Sequence, residues 1–208
     1  MKILIVDDHA IVRRGLISLL KEHYRSAKFG EAEDSKQGLH EALGTDWDLV
    51  IMDINMPGRN GIDLIRDIKG VKPDLPVLVV SAHAEKDYGV RSLKLGAAGY
   101  VSKQSAPDVL VAAVKRVLAG GRYVSPTLAE HLADSLSGAS EVTHETLSNR
   151  ELQVLKLIAQ GKTLKEIGAD LALSEKTIAT YRSRISEKMG LPGIVDLTRY
   201  AMRHGLVD

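Results

Sequence analysis

LVIMDINMPGRNGIDLIRDIKG, residues 49–70, holds the pattern that decides how this chain folds. LVIM at 49–52 runs without polar interruption into Asp53. A short strand that is apolar on both sides needs cover on both faces, which is the habit of parallel sheets rather than antiparallel ones. Met56-Pro57-Gly58 follows; proline fixes φ and glycine permits positive φ, so the chain turns just beyond the acid and leaves its carboxylate accessible. Apolar residues then recur at helical spacing over 61–69. Strand, acid, turn and helix make one βα unit.

The same grammar extends in both directions. Strands are expected at 3–6 (ILIV), 27–32, 49–52, 77–80 (VLVV) and 99–102, alternating with helices at 10–23, 35–44, 61–69, 85–95 and 105–119. This (βα)5 order predicts an α/β fold, a doubly wound parallel sheet over residues 1–120 with helices on each face. In such sheets the functional cleft lies at the carboxyl ends of the strands. There the first run ends in Asp7-Asp8, the third in Asp53, the fourth in Ser81 and the fifth, past a short extension, in Lys103. Each has an ordinary use alone, as a helix cap, a turn residue or a solvated charge. Their convergence on one edge points to chemistry.

Three carboxylates at one edge repel unless a cation joins them. Mg2+ suits a site with few protein carboxylates, because it keeps several waters and shares phosphate oxygens. Lys103 would supply a positive charge for a phosphoryl oxygen, and the Ser81 hydroxyl a hydrogen bond to another. The set fits phosphoryl transfer to a carboxylate with Asp53 as nucleophile. A haloacid-dehalogenase-like phosphohydrolase also phosphorylates an aspartate, but wants a second acid where this chain has Asn55.

From 121 to 146 Gly, Ser, Pro and Thr are scattered, with one short amphipathic piece at 127–136, and the stretch reads as a linker. Residues 147–208 suggest four short helices, 148–160, 163–171, 175–189 and 193–203, the first, third and fourth followed by Gly161, Gly190 and Gly205. The second and third, joined by the turn ALS at 172–174, have helix-turn-helix spacing, with Ser174 as cap of the later helix. Counting about 100° per residue, Ile178, Tyr181, Ile185 and Met189 share one face, while Lys176, Thr180, Ser183, Arg184 and Glu187 share the other. The first face should pack and the second should read DNA. Thr180 and Ser183 would offer hydroxyls, and Arg184 and Lys176 would take guanine edges or phosphates. Arg182 lies near the apolar face, its guanidinium reaching a phosphate or an acid such as Glu151.

Bulk composition sets limits. With 44% hydrophobic and 26% charged residues the chain is of ordinary globular type. No apolar run approaches the roughly 20 residues that span a bilayer, and two acids come too early for a signal peptide, so no membrane role and a cytoplasmic location are expected. The absence of cysteine excludes disulfides and thiolate chemistry, and the seven histidines never fall at tight ligand spacing, so oxygen is expected to hold any metal. A net charge of +1 conceals ten bases against seven acids in 147–208. That excess is too small to establish nucleic-acid binding by itself.

Residues 1–120 resemble a receiver domain: DD at 7–8, MDINMPGRNG at 52–61, SA at 81–82 and GYVSK at 99–103. LSNRELQVLKLIAQGKTLKEIGADLALSEKTIATYRSRISEKMGL resembles the LuxR-type DNA-binding domain of NarL/FixJ-family two-component response regulators. The resemblance implies phosphorylation of Asp53 by a cognate histidine kinase. It further implies Mg2+ held by Asp8, Asp53 and the backbone carbonyl of Asn55, with Asp7 acting through water. Ser81 and Tyr100 match the switch pair and Lys103 the pocket lysine, while Asn55 and His83 match positions that govern the lifetime of the acyl phosphate. Such a protein accepts phosphate and loses it slowly, without being a dedicated enzyme. In the second domain the resemblance places Ala179, Thr180 and Ser183 toward bases and Lys165 on a phosphate, with Ser174, Lys176, Thr177, Arg182, Arg184 and Lys188 around them. Many members carry lysine where this chain has Ala179. The last helix, with Ile194, Leu197, Tyr200 and Ala201 on a stripe read as exposed, resembles a dimerisation helix. The implied partners are the kinase, promoter DNA, a second copy of the chain in the active state and RNA polymerase.

Overall fold

The computed structural model describes residues 1–56, 61–82, 85–136, 144 and 147–207, with the backbone alone at 86, 87 and 134–136. The chain divides into two compact units, Met1–Ser137 and Gly138–Asp208.

In the first unit, strands β1 (Lys2–Val6), β2 (Lys28–Ala32), β3 (Leu49–Met52), β4 (Val77–Ser81) and β5 (Gly99–Ser102) alternate with helices α1 (Ala10–His23), α2 (Ser35–Gly44), α3 (Gly61–Val71), α4 (Glu85–Lys94) and α5 (Pro107–Leu118). All strand pairs are parallel, in the order β2-β1-β3-β4-β5. The doubly wound sheet expected from the uninterrupted apolar runs is present. β3 and β4 are buried along their whole length, and β1 from Ile3 onward. Strand alternation sends Ile3, Ile5, Leu49, Ile51, Leu78 and Val80 into a core shared with Leu20 of α1 and Leu110, Ala113, Val114 and Val117 of α5. On the opposite face α2 comes so close that a Cβ on Gly38 would lie 2.7 Å from Val6 Cγ1. Chain order reverses between β1 and β3, and their carboxyl ends therefore flank the crevice where ligands of such sheets sit.

After α5 the structure departs from the expected linker. The Tyr123 N–H donates to Ala98 O at 2.8 Å, Tyr123 bridges to Gly99, and helix α6 (Pro126–Leu136) packs on α4. Leu128 is fully buried against Gly89, where a Cβ would come within 2.6 Å of Leu128 Cδ1. Ser125 Oγ hydrogen-bonds the Glu85 carboxylate and also accepts from Leu128 N–H, which caps the helix. The amphipathic piece thus has an apolar residue and a glycine notch waiting for it, and 121–136 belongs to the first unit. The rest of the expected linker lies outside the described residues except for His144.

The second unit contains α7 (Asn149–Ala159), α8 (Leu164–Leu171), α9 (Glu175–Met189) and α10 (Ile194–Arg203). Ser148 and Thr163 form capping boxes with Glu151 and Glu166, so α7 and α8 start where the sequence supplies both halves of that motif. Among the described residues no helix is long and apolar enough to cross a membrane.

Leu128→Ala removes a buried side chain and is expected to destabilise the first unit by about 2–5 kcal/mol. Urea unfolding of the full chain, followed through Trp47, the sole tryptophan, measures this. An unchanged midpoint would show that α6 is only tethered.

Candidate functional site

Val6 is in register with Met52, so Asp7 and Asp53 leave adjacent strands side by side. The Asp53 N–H donates to Val6 O at 2.8 Å, which fixes the spacing. Both acids are buried, at 1% and 3% exposure. One oxygen of each is held by backbone two residues on: Asp7 Oδ1 accepts from the His9 N–H at 2.8 Å, and Asp53 Oδ1 from the Asn55 N–H at 3.0 Å. The other oxygen of each, Oδ2, lies 2.6 Å from Lys103 Nζ. Lys103 is carried there by β5, whose pairing with β4 ends at Ser81 and Ser102 and is extended by the Lys103 N–H donating to Ser81 O at 2.8 Å. Burial alone would lower the Lys103 ammonium, but hydrogen bonds and charge from Asp53 and Asp7 outweigh it and hold its pKa above the ordinary lysine value. Ser81 and Tyr100 are both fully buried.

Ligand atoms of Asp7, Asp8, His9 and Asp53 all lie within 4.8 Å of one another. Asp8 Oδ1 is buried and accepts no hydrogen bond; His9 Nδ1 stands 2.8 Å away as an ion-pair contact without hydrogen-bond alignment. A carboxylate oxygen withdrawn from water without a donor is costly, and a cation removes that cost. The donor set therefore fits a divalent metal. His9 is a neighbour of the acids that sequence reasoning missed: its Nδ1 lies at hydrogen-bond distance, 3.2 Å, from Asp7 Oδ1, and its place directly after the two acids was the signal that could have found it. Gly61 was also missed: a Cβ there would lie 2.6 Å from Asp53 O and 2.5 Å from Ile54 Cα, so any side chain would push α3 off the acid's own backbone. His83, Pro57 and Gly58 lie outside the described residues.

In the second unit Ala172 ends α8 in the left-handed region, φ 53°, and Ser174 caps α9 by accepting from the Thr177 N–H. A Cβ on Gly168 would lie 2.7 Å from Leu173 O, so the turn closes only over glycine. Ile178, Ile185 and Met189 are buried, while Lys176, Thr180, Ser183, Arg184 and Glu187 are exposed, as expected. Thr177, Ala179 and Arg182 are half-buried, and Lys165 stands exposed on α8. Tyr181 is half-buried and, instead of packing wholly inside, lines a cleft of about 310 Å³ with Ser174, Lys176, Thr177, Thr180 and Arg184. The Thr180 and Ser183 hydroxyls donate to the carbonyls of Lys176 and Ala179 one turn back, leaving their lone pairs outward.

Three expectations change. Lys188, grouped with the DNA-facing residues, reaches Glu151 at 2.7 Å, taking the place proposed for Arg182. Glu151 is 3% exposed and also accepts from the Ser148 N–H at 2.6 Å. Leu197 and Ala201 are buried, because residues four apart on α10 face α7. The apolar residues left outside on α10 are Ile194, Val195 and Met202. Tyr200 is stacked on His204 at 4.1 Å, and its hydroxyl accepts from the His144 N–H at 3.1 Å.

The family model of the response regulator receiver domain matches residues 3–115, and that of the LuxR family of bacterial regulatory proteins matches 145–201. This chain is a two-component response regulator of the NarL/FixJ family. Response regulator GacA of Pseudomonas aeruginosa is 37% identical over 212 residues, covering 100% of this chain and 98% of its own. Response regulator UvrY of Escherichia coli K12 is 35% identical over 210 residues, covering 100% and 96%. Among solved structures, RcsB of Salmonella enterica serovar Typhimurium, bound to promoter rprA with the phosphomimetic BeF3-, superposes with a TM-score of 0.65 at 30% identity, covering 97% of this chain and 98% of that one. The response regulator thus joins a receiver to a LuxR-type DNA-binding domain and regulates transcription.

The Glu151 carboxyl is raised by burial, but hydrogen bonds from Lys188 and Ser148 outweigh this and place it below the ordinary glutamate value. A depressed folded-state pKa contributes stability that is present at neutral pH and is lost as pH falls through that value. Glu151→Gln is expected to cost the second unit about 1–3 kcal/mol at pH 7 and less in acid. Hydrogen exchange of α7 and α9 amides across that range checks it. Ala172→Gly relieves the left-handed strain and should slow the same exchange, by about 1 kcal/mol.

Proposed function

We propose that Asp53 is the phosphoacceptor and that its phosphorylation by a histidine kinase controls dimerisation and promoter binding. The observation that carries this is Lys103 Nζ placed 2.6 Å from both Asp53 and Asp7 at the switch point of the sheet. An Asp53 oxygen attacks the phosphorus of the donor, the P–N bond to the kinase histidine breaks, and that imidazole leaves. Lys103 then exchanges a carboxylate for a phosphoryl oxygen without leaving its position, and the Ser81 hydroxyl binds a second one. Mg2+, held by Asp8, Asp53 and the Asn55 carbonyl with Asp7 acting through water, would offset the charge gathered on the transferred group. Tyr100 lies on β5 in register with Val79, two residues along β4 from Ser81, and both side chains are already buried; phosphorylation would hold the pair in that inward arrangement and so bias a pre-existing equilibrium. Hydrolysis of the acyl phosphate is slow, and Asn55 and His83 set its rate.

In the second unit, α9 presents Lys176, Ala179, Thr180, Ser183 and Arg184 to the major groove, with the Ser174 cap, Thr177, Arg182 and Lys165 toward phosphates. Exposed Ile194 supports a role for α10, Tyr200 included, in pairing two such domains on symmetric half-sites. A cytoplasmic location, promoter DNA and RNA polymerase as partners complete the proposal; RcsB has been solved bound to DNA, and as two dimers on two parallel DNAs.

Incubation with Mg2+ and acetyl phosphate is expected to add one phosphoryl group by intact mass and to tighten binding to genomic DNA fragments. Asp53→Ala should lose both effects. DNA binding without any adduct in the wild type would reduce the receiver to a structural or protein-binding module.

A further inference from the structure

Two of the three acids have their carboxylates held directly. One oxygen of Asp7 and of Asp53 accepts a backbone N–H two residues on, and the other meets Lys103. Asp8 Oδ1 is buried and accepts no hydrogen bond, and its ion-pair neighbour His9 sits on an exposed side chain. The aim of Asp8 therefore depends on the backbone that carries it. That backbone leaves the sheet at Asp7. The Asp7 N–H continues the β1–β2 ladder beyond Val6, donating to Ala32 O at 3.1 Å. Its carbonyl accepts from a side chain instead, Arg13 Nη1 at 2.7 Å. A peptide group is planar, so holding the Asp7 C=O also fixes the N–H and Cα of Asp8.

Arg13 is itself anchored. It stands in the first turn of α1 with its side chain 12% exposed, and its Nε donates to the Glu31 carboxylate of β2 at 3.1 Å. The guanidinium carries its donors in a rigid planar fork, so one nitrogen can grip the carboxylate while another meets the carbonyl. The side chain thus ties α1, β1 and β2 together where the two acids emerge. We infer that Arg13 is a positioning residue for Asp8: by fixing the Asp7–Asp8 peptide it pre-orients the Asp8 carboxylate for a divalent cation, which then binds without reordering the loop. Groups that orient a metal ligand from behind typically change affinity by about 10–100-fold when removed. This rests on the reading of the acid cluster as a metal site and deepens it.

Mg2+ is the probe, titrated calorimetrically into the full-length protein, with the rate of labelling by acetyl phosphate followed at limiting and at saturating Mg2+. Arg13→Met keeps the apolar stem and removes every donor; it is expected to weaken Mg2+ binding by about tenfold while the labelling rate at saturating Mg2+ stays within about twofold of wild type. Arg13→Lys, a cation that can reach one acceptor but not both, should bind Mg2+ with intermediate affinity. Leu128→Ala destabilises the same unit from α6 and should leave Mg2+ affinity unchanged. Urea midpoints read through Trp47 verify that each variant is folded. Mg2+ affinity unaltered in Arg13→Met, or in Arg13→Lys should the first variant fail to fold, overturns the role of Arg13 while the metal site stands. So does an equal loss of affinity in Leu128→Ala, which would make the effect one of general stability. If the wild type binds no Mg2+ at all, both the inference and the metal reading fall.

Discussion

Two carboxylates emerging in register from buried neighbouring strands repel one another, and everything at this edge of the sheet is arranged around that repulsion. Lys103 offsets it by contacting Asp7 and Asp53 at equal distance. Its position depends on β5 lying beside β4, on the extra ladder step to Ser81 O, and on Gly61 allowing α3 close behind Asp53. The pocket is thus an electrostatic balance set by backbone register. An incoming phosphoryl group alters that balance at the one place where four elements already meet.

The receiver was legible because its signals are local and repeated. LVIM at 49–52 and VLVV at 77–80 are apolar on both faces, and only a covered parallel sheet satisfies them. The site residues could be read because each ends a strand, and strand ends in such folds converge whatever the intervening loops do. His9 could not be read the same way: it ends no strand of its own but follows Asp7 and Asp8 on the same turn, where a histidine has many ordinary uses.

The second unit shows the complementary limit. Its helix ends were readable from Ser148, Thr163 and Ser174, since capping is a contest between neighbours in sequence. Which side of α10 faces inward was not, because Leu197 and Ala201 share their helix with Ile194, Val195 and Met202, and composition favours neither face; packing on α7 decides it. Lys188 illustrates the same point, for a lysine near the end of a reading helix looks like a phosphate contact until the buried acid at Glu151 is seen facing it.

Helix α6 alters where this protein can be cut and rejoined. A boundary drawn after α5 would strip Leu128 from the notch at Gly89 and leave that apolar flank of α4 facing water. Chimeras that exchange output domains, or reporters fused behind the receiver, therefore have their natural junction beyond Leu136. Insertions placed there change the tether while sparing the surface on which α6 rests.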